Sequence, residues 1–232
     1  MMNVTPAWAS LASGGLGLTG AGQIVAVADT GCDTGSTNDT HPDFAGRILA
    51  GYGWKNGSCS TSHSWADTHS HGTHCAGSVL GSGAASSNQF RGIACQAQLV
   101  VQGCQDDLSG IPDNPSLLLS QACTAGARIH SDSWGYTNAD YHGAYLLAAV
   151  HADGCMWTNQ NFLMVIAAGN DGIDADGDGV IDPTSVTAPG TAKNGLCVGA
   201  AENYRTSGGY AASTYGGKWP SEIGRASCRE RV

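Results

Sequence analysis

At 232 residues, 41% of them hydrophobic, the chain can bury one sizeable core, and a single domain is expected, since domains of roughly 100–250 residues are ordinary. Charged residues make up only 12% and glycines number 34. That balance suits a loop-rich α/β protein and excludes disorder, which requires low hydrophobicity with high net charge. The formal net charge of −9, with no Lys/Arg cluster before residue 224, excludes a nucleic-acid partner, because neutralising phosphates requires a basic face.

No run of 18 apolar residues occurs, so no membrane span is expected. Met1-Met2-Asn3-Val4 lacks the charged and apolar stretches of a signal peptide, so either the protein is not exported or its export signal lies upstream. Nine cysteines without a C-x-x-C pair fit disulfides in an oxidising compartment better than a zinc ribbon or a thioredoxin motif. Their connectivity stays open.

In chain order, residues 23–28 (QIVAVA) form a short apolar run between Gly22 and the turn Asp29-Thr30-Gly31, the pattern of a strand buried on both faces. His71–Leu80 is the first stretch of helical length, and its Gly72, Ala76 and Gly77 allow close packing. Apolar runs follow at 98–102, 127–130, 162–168 and 196–200, with helical stretches at 116–125 and 141–151. Strands alternating with helices predict βαβ units and a parallel sheet, an α/β fold. Ligands bind such sheets beyond the carboxyl ends of the strands. That rule draws attention to Asp29, to Ser133-Trp134-Gly135 and to Gly169-Asn170, each of which follows an apolar run.

Three motifs carry chemistry. Val27-Ala28-Asp29-Thr30-Gly31 sets a carboxylate at a strand end, where an Asp alone is usually a turn residue. Ser70-His71-Gly72-Thr73-His74-Cys75-Ala76-Gly77 puts a histidine at a helix start; alone it could be structural or one of a metal-binding pair, although the i, i+3 spacing of His71 and His74 without an intervening Glu fits a zincin poorly. Val165-Ile166-Ala167-Ala168-Gly169-Asn170-Asp171-Gly172 delivers an amide side chain at the end of a hydrophobic run.

In this order, Asp, His and an Asn-bearing strand resemble the subtilisin-like serine proteases, the subtilase family, over residues 3–218. His41-Pro42-Asp43-Phe44 is similar to the family's H-P-D-L stretch. The resemblance implies a three-layer fold with a central, mostly parallel sheet and helices on both faces. It implies an endopeptidase acting on protein or peptide substrates, extracellular and monomeric. By the same resemblance Asp29 orients His71, His71 is the general base and acid, and the Asn170 amide donates to the oxyanion. Ser133, Trp134 and Gly135 are similar to the segment that pairs with an extended peptide and lines the S1 pocket. Ser109 and Gly110 are expected to supply the opposing strand, and Ala168 and Gly169 another S1 wall. Trp134 departs from the smaller aliphatic residue of the pattern. Cys75, one turn beyond His71, reads either as a nucleophile using that histidine or as a buried thiol.

The family's G-T-S-M-A-like nucleophile turn has no counterpart in the sequence; Gly190-Thr191-Ala192 lacks the serine. Residues 222–232 (EIGRASCRERV), dense in Arg and Glu, resemble the in-frame translation of a sequencing-library adapter, the alternative being a basic tail. The expectation is a partial catalytic domain at 1–221 and a non-native tail at 222–232. Without Cys228, eight cysteines remain. The fragment alone is expected to be inactive, and a non-catalytic peptide-binding module or a Ca²⁺-binding adhesion domain are the competing readings.

Residues 174–182 set Asp174, Asp176, Asp178 and Asp182 at loop positions 1, 3, 5 and 9, with Gly179 at 6 and Val180 able to offer a carbonyl. Hard oxygen donors around a glycine turn are what a Ca²⁺ loop needs. Ser185 stands where the EF-hand pattern has Glu, so the loop is incomplete. A solvated acidic turn is the alternative.

Overall fold

The computed structural model describes residues 4–9, 14–170, 172 and 182–199. Its strands are β1 (Ile24–Asp29), β2 (Ile48–Lys55), β3 (Ser58–Ser60), β4 (Gln98–Gly103), β5 (Ile129–Asp132), β6 (Leu163–Ala167) and β7 (Leu196–Val198). Its helices are α1 (Thr5–Trp8), α2 (His71–Leu80), α3 (Ser116–Thr124) and α4 (Leu147–Thr158). The strands form one seven-stranded sheet in the order β3-β2-β4-β1-β5-β6-β7. All pairs are parallel except β2 with β3.

The apolar run of β1 explains its central place, because both of its faces are covered. Val25 and Val27 join Phe44, Ile48, Leu99 and Val101 in a core beneath Ala76 and Leu80 of α2. Ala26 and Ala28 face the other way, into a larger core with Leu118 and Leu119 of α3, Ala149 and Ala152 of α4, and Met164 and Ile166 of β6. Helices therefore lie on both faces of a mostly parallel sheet, as expected. From β1 the chain builds outward to one side through β2 and β4, then crosses to the other through β5, β6 and β7. The carboxyl end of β1 is thus the topological switch point, where an open α/β sheet leaves a crevice.

Two elements differ from expectation. β2 answers to no run marked in the sequence; its Gly51 and Gly53 sit mid-strand because the segment at 63–65 lies across them. A Cβ on Gly51 would fall 2.1 Å from the Trp65 ring, and one on Gly53 would fall 2.2 Å from the His63 carbonyl oxygen. The fourth helix, expected at 141–151, runs at Leu147–Thr158 instead. Gly143, with φ +67°, and a 3₁₀ turn at Ala139–Tyr141 break the earlier part. The helix continues through Gly154, at a cost of about 1 kcal/mol, because Ala149, Ala152, Cys155 and Met156 bury its inner side.

α2 packs on β1 and β4. Beyond its reach, the same face of β5, β6 and β7 leaves Ile129, Leu163, Leu196 and Val198 exposed. No helix among the described residues is long and apolar enough to cross a membrane.

Leu99 is fully buried under α2, whereas Trp157 on α4 is 74% exposed. Leu99→Ala is expected to lower unfolding free energy by about 2–5 kcal/mol, and Trp157→Ala to change it by less than about 0.5 kcal/mol. Urea denaturation of the two variants beside the unsubstituted protein measures both.

Candidate active site

Asp29 ends β1 at the switch point and His71 begins α2; the fold brings them together. His71 Nδ1–H donates to Asp29 Oδ1 over 2.6 Å. The carboxylate is 1% exposed and the imidazole 43% exposed, so the ring stands on a buried anion and opens toward solvent. The Thr30 amide donates to the same oxygen over 2.7 Å. Close approach of helix and strand requires Gly72: a Cβ there would fall 2.3 Å from the Gly31 carbonyl oxygen and 3.1 Å from the Asp29 Cβ.

A residue that the motifs did not single out holds the helix start in place. Asp67 Oδ1 accepts from the Thr30 hydroxyl (2.9 Å) and the amides of His69 (3.1 Å) and Ser70 (2.8 Å). Its Oδ2 accepts from the Thr73 amide (2.8 Å) and hydroxyl (2.5 Å). The Thr30 oxygen in turn accepts from the Gly72 amide at 2.8 Å. Asp67 thereby satisfies orphan donors of the first turn of α2, which Ser70, in a left-handed conformation, does not cap with its own side chain. An Asp shortly before a helix start is the signal that could have found it.

Cys75 Sγ lies 3.7 Å from His71 Nδ1. Burial, first of all, pushes its thiol up to about 11; a hydrogen bond with Ser133 pulls down, and the charges of Asp29 and Asp67 push further up. It is therefore a thiol at neutral pH, and the cysteine-nucleophile reading loses its reactive thiolate. The same contact places Ser133 beside the dyad. Asp29, His71 and Cys75 are the one group among the described residues whose ligand atoms, within 4.8 Å of one another, could grip a metal ion.

The other expected residues line the same rim. A Cβ on Gly135 would fall 2.4 Å, and one on Gly169 2.8 Å, from Cγ2 of Thr187. The Thr187 amide donates to the Ala168 carbonyl over 3.0 Å, and the Tyr136 amide to the Ala188 carbonyl over 2.9 Å. The segment at 187–188, which no sequence motif marks, thus joins Ser133-Trp134-Gly135 to Ala168-Gly169. Trp134 is buried. Asn170 is exposed beyond the end of β6, two strands from β1 and so about 10 Å across the sheet.

Ser109 is exposed, its amide donating to Asp107 Oδ1 over 3.0 Å. Gly110 is buried, its amide donating to the Cys104 carbonyl over 2.9 Å. Asp174, Asp176, Asp178 and Val180 lie outside the described residues; Asp182 is half-buried, its carbonyl accepting from the Ser185 amide over 3.1 Å. Cys32, Cys59, Cys75, Cys95, Cys104, Cys123 and Cys155 are free thiols, so the expected disulfide pairing is not seen among these seven.

Burial would raise the Asp67 carboxyl, but hydrogen bonds from Thr73, Thr30 and Ser70 outweigh it and hold the group below the usual carboxylate range. A carboxyl depressed in the folded state stabilises above its unfolded value, about 3.9, and that stability is lost as pH falls through the lower folded value. The difference in urea midpoint between the unsubstituted protein and Asp67→Asn is therefore expected to be full near neutral pH and to shrink below about pH 4. A difference independent of pH would contradict this account.

Comparison with known proteins adds to the geometry. The sequence model of the subtilase family matches residues 20–226. The chain is 32% identical over 200 residues to the serine protease/ABC transporter B family protein tagD of Dictyostelium discoideum, covering 79% of this chain and 10% of that protein. It is 29% identical over 208 residues to serine protease AprX of Bacillus subtilis (strain 168), covering 82% and 40% respectively. It is 28% identical over 199 residues to a subtilisin of Bacillus sp. (strain TA39), covering 84% and 43%. The chain thus spans less than half the length of these relatives. With the match running across the sheet, the Asp29–His71 pair and the rim beside it, the chain belongs to the subtilase family.

Proposed function

We propose that the chain is the Asp- and His-bearing part of a serine endopeptidase that cleaves protein or peptide substrates through an acyl-enzyme, its nucleophilic serine carried by a further segment of the polypeptide. The 2.6 Å hydrogen bond between His71 and the buried Asp29 carries this reading. With Nδ1 committed to Asp29, the other imidazole nitrogen is the one free to take the serine proton during attack. Asp29 then stabilises the imidazolium, which returns the proton to the leaving amine; water repeats the sequence on the acyl-enzyme. In this proposal Asn170 donates to the oxyanion, and Ser133-Trp134-Gly135 receives the extended substrate, with Ser109-Gly110 opposite. The chain by itself is then inactive.

The test uses the full-length protein on peptide anilides. His71→Ala is expected to lower turnover by a factor on the order of 10⁶. Undiminished cleavage by His71→Ala would remove the proposed base.

We extend the proposal to structural Ca²⁺ at residues 174–182, on the strength of the oxygen-donor pattern of Asp174, Asp176, Asp178, Val180 and Asp182. Bound in the loop that follows Asn170 in sequence, the ion would stiffen the S1 wall and take no part in the chemistry. EDTA is then expected to lower the Tm of the full-length protein by about 5–10 °C, with Ca²⁺ restoring it. An unmoved Tm counts against the ion. An extracellular site of action and a monomeric state belong to the same proposal.

A further inference from the structure

A second histidine–aspartate pair lies beneath the rim, sealed from solvent. His130 and Asp132 of β5 and Gln102 of β4 are fully buried beside apolar residues of the larger core. Buried polar groups are costly unless hydrogen-bonded; Asp132 Oδ1 has no partner, and the other polar side-chain atoms form a continuous chain. His130 Nδ1 meets Asp132 Oδ2 at 2.8 Å, and His130 Nε2 meets Gln102 Oε1 at 2.7 Å. Gln102 Nε2–H donates to the Leu118 carbonyl (3.0 Å) and to Gln121 Oε1 (2.8 Å). The Trp54 indole N–H donates to the same Gln121 oxygen over 3.0 Å.

The direction of the bonds from Trp54 through Gln121 and Gln102 to His130 Nε2 is fixed by their ends. A carbonyl oxygen only accepts and an indole N–H only donates, so the Gln102 amide group points at Leu118 and its oxygen at His130. Nε2 of His130 must therefore carry a proton.

The sheet order makes this chain a cross-brace. β4 and β5 are not neighbours; β1 lies between them. In register, Gln102 sits level with Ala28 and Asp132, and His130 level with Ala26. Only because β1 presents alanines on this face can the Gln102 and His130 side chains meet across it. Beyond Gln102 the chain runs to Ser109 and Gly110; beyond Asp132 it runs to Ser133, Trp134 and Gly135. The strands that the brace ties are those whose ends carry the two walls of the proposed peptide groove, with Asp29 between them.

We propose that His130, held between Asp132 and Gln102, is a positioning residue that sets the separation of the two groove walls. The inference rests on the protease reading for its consequence in catalysis, though not for the brace itself. His130→Leu leaves Gln102 Oε1 and the Asp132 carboxyl unpaired. Asp132→Asn keeps the brace, because its amide can donate to a neutral Nδ1 while Nε2–H still reaches Gln102.

The experiment compares the full-length protein with both variants in two readouts. In the first, His130→Leu is expected to raise KM about tenfold for a peptide long enough to touch both walls, with kcat on a small ester within about twofold, and Asp132→Asn to restore KM. In the second, amide hydrogen exchange at 103–110 and 133–135 is expected to speed up in His130→Leu and to stay at the original rate in Asp132→Asn. Unchanged exchange in both walls, or ester and peptide activity falling together without rescue by Asp132→Asn, overturns the proposal. If His130→Leu does not fold, Gln102→Met, which opens the same gap from β4, takes its place. If the unsubstituted protein cleaves neither substrate, the protease reading fails, and hydrogen exchange alone decides the brace.

Discussion

The start of one helix has to come within touching distance of the end of one strand, and the remainder of the site is arranged around that approach. Backbone meets backbone at Gly72 and Gly31, where a single methyl group would collide with a carbonyl oxygen. The hydroxyl of Thr30 accepts from the Gly72 amide and donates to Asp67, so strand end, helix start and capping carboxylate are one hydrogen-bonded unit. The short bond between His71 and Asp29 follows from that docking. The imidazole is not steered by its own rotamer alone but by a helix whose position is over-determined.

β1 serves different purposes on its two sides. Toward α2 it offers Val25, Val27 and finally Asp29, so the apolar row that anchors the helix ends in the carboxylate that the helix delivers a histidine to. Toward α3 and α4 it offers Ala26 and Ala28, whose small size admits polar side chains from both flanking strands. The strand's alternation of large and small residues therefore separates a solvent-open histidine–aspartate pair from a sealed one lying just below. Their chemistry differs through burial: one ring is nearly half exposed, and the other is wholly enclosed, with Phe162 at 6.0 Å between ring centres.

Much of this is readable in the residues. α2 is expected at His71–Leu80 and is found there, because Gly72, Ala76 and Leu80 recur every four residues and give the segment one side that packs on the sheet. The run at 98–102 becomes β4 because a short, continuous apolar segment buries well on both faces of a parallel sheet, and the run at 162–168 becomes β6, whose Met164 and Ile166 are buried in the larger core while Leu163 is exposed on the other face. β2 escapes notice because its glycines answer to Trp65 and His63, a tertiary contact with no local signature. Asp67 and Thr187 escape for a related reason: each acts through partners set by the fold, and neither belongs to a local pattern of catalytic residue types. The buried Gln102–His130–Asp132 chain is the clearest case. The run at 127–130 is marked in the sequence only as an apolar strand, and it takes the sheet order to show that His130 and Asp132 point inward toward Gln102.

The half-face of β5, β6 and β7 that no helix covers among the described residues has a thermal consequence for this part of the fold. Ile129, Leu163, Leu196 and Val198 are already hydrated in the folded molecule, so unfolding adds less new apolar surface to water than it would in a sheet lined on both sides. Because that added surface sets the heat-capacity increment, the curve of free energy against temperature is flatter. Cooling then weakens this fold less steeply than it weakens one whose sheet is fully clad.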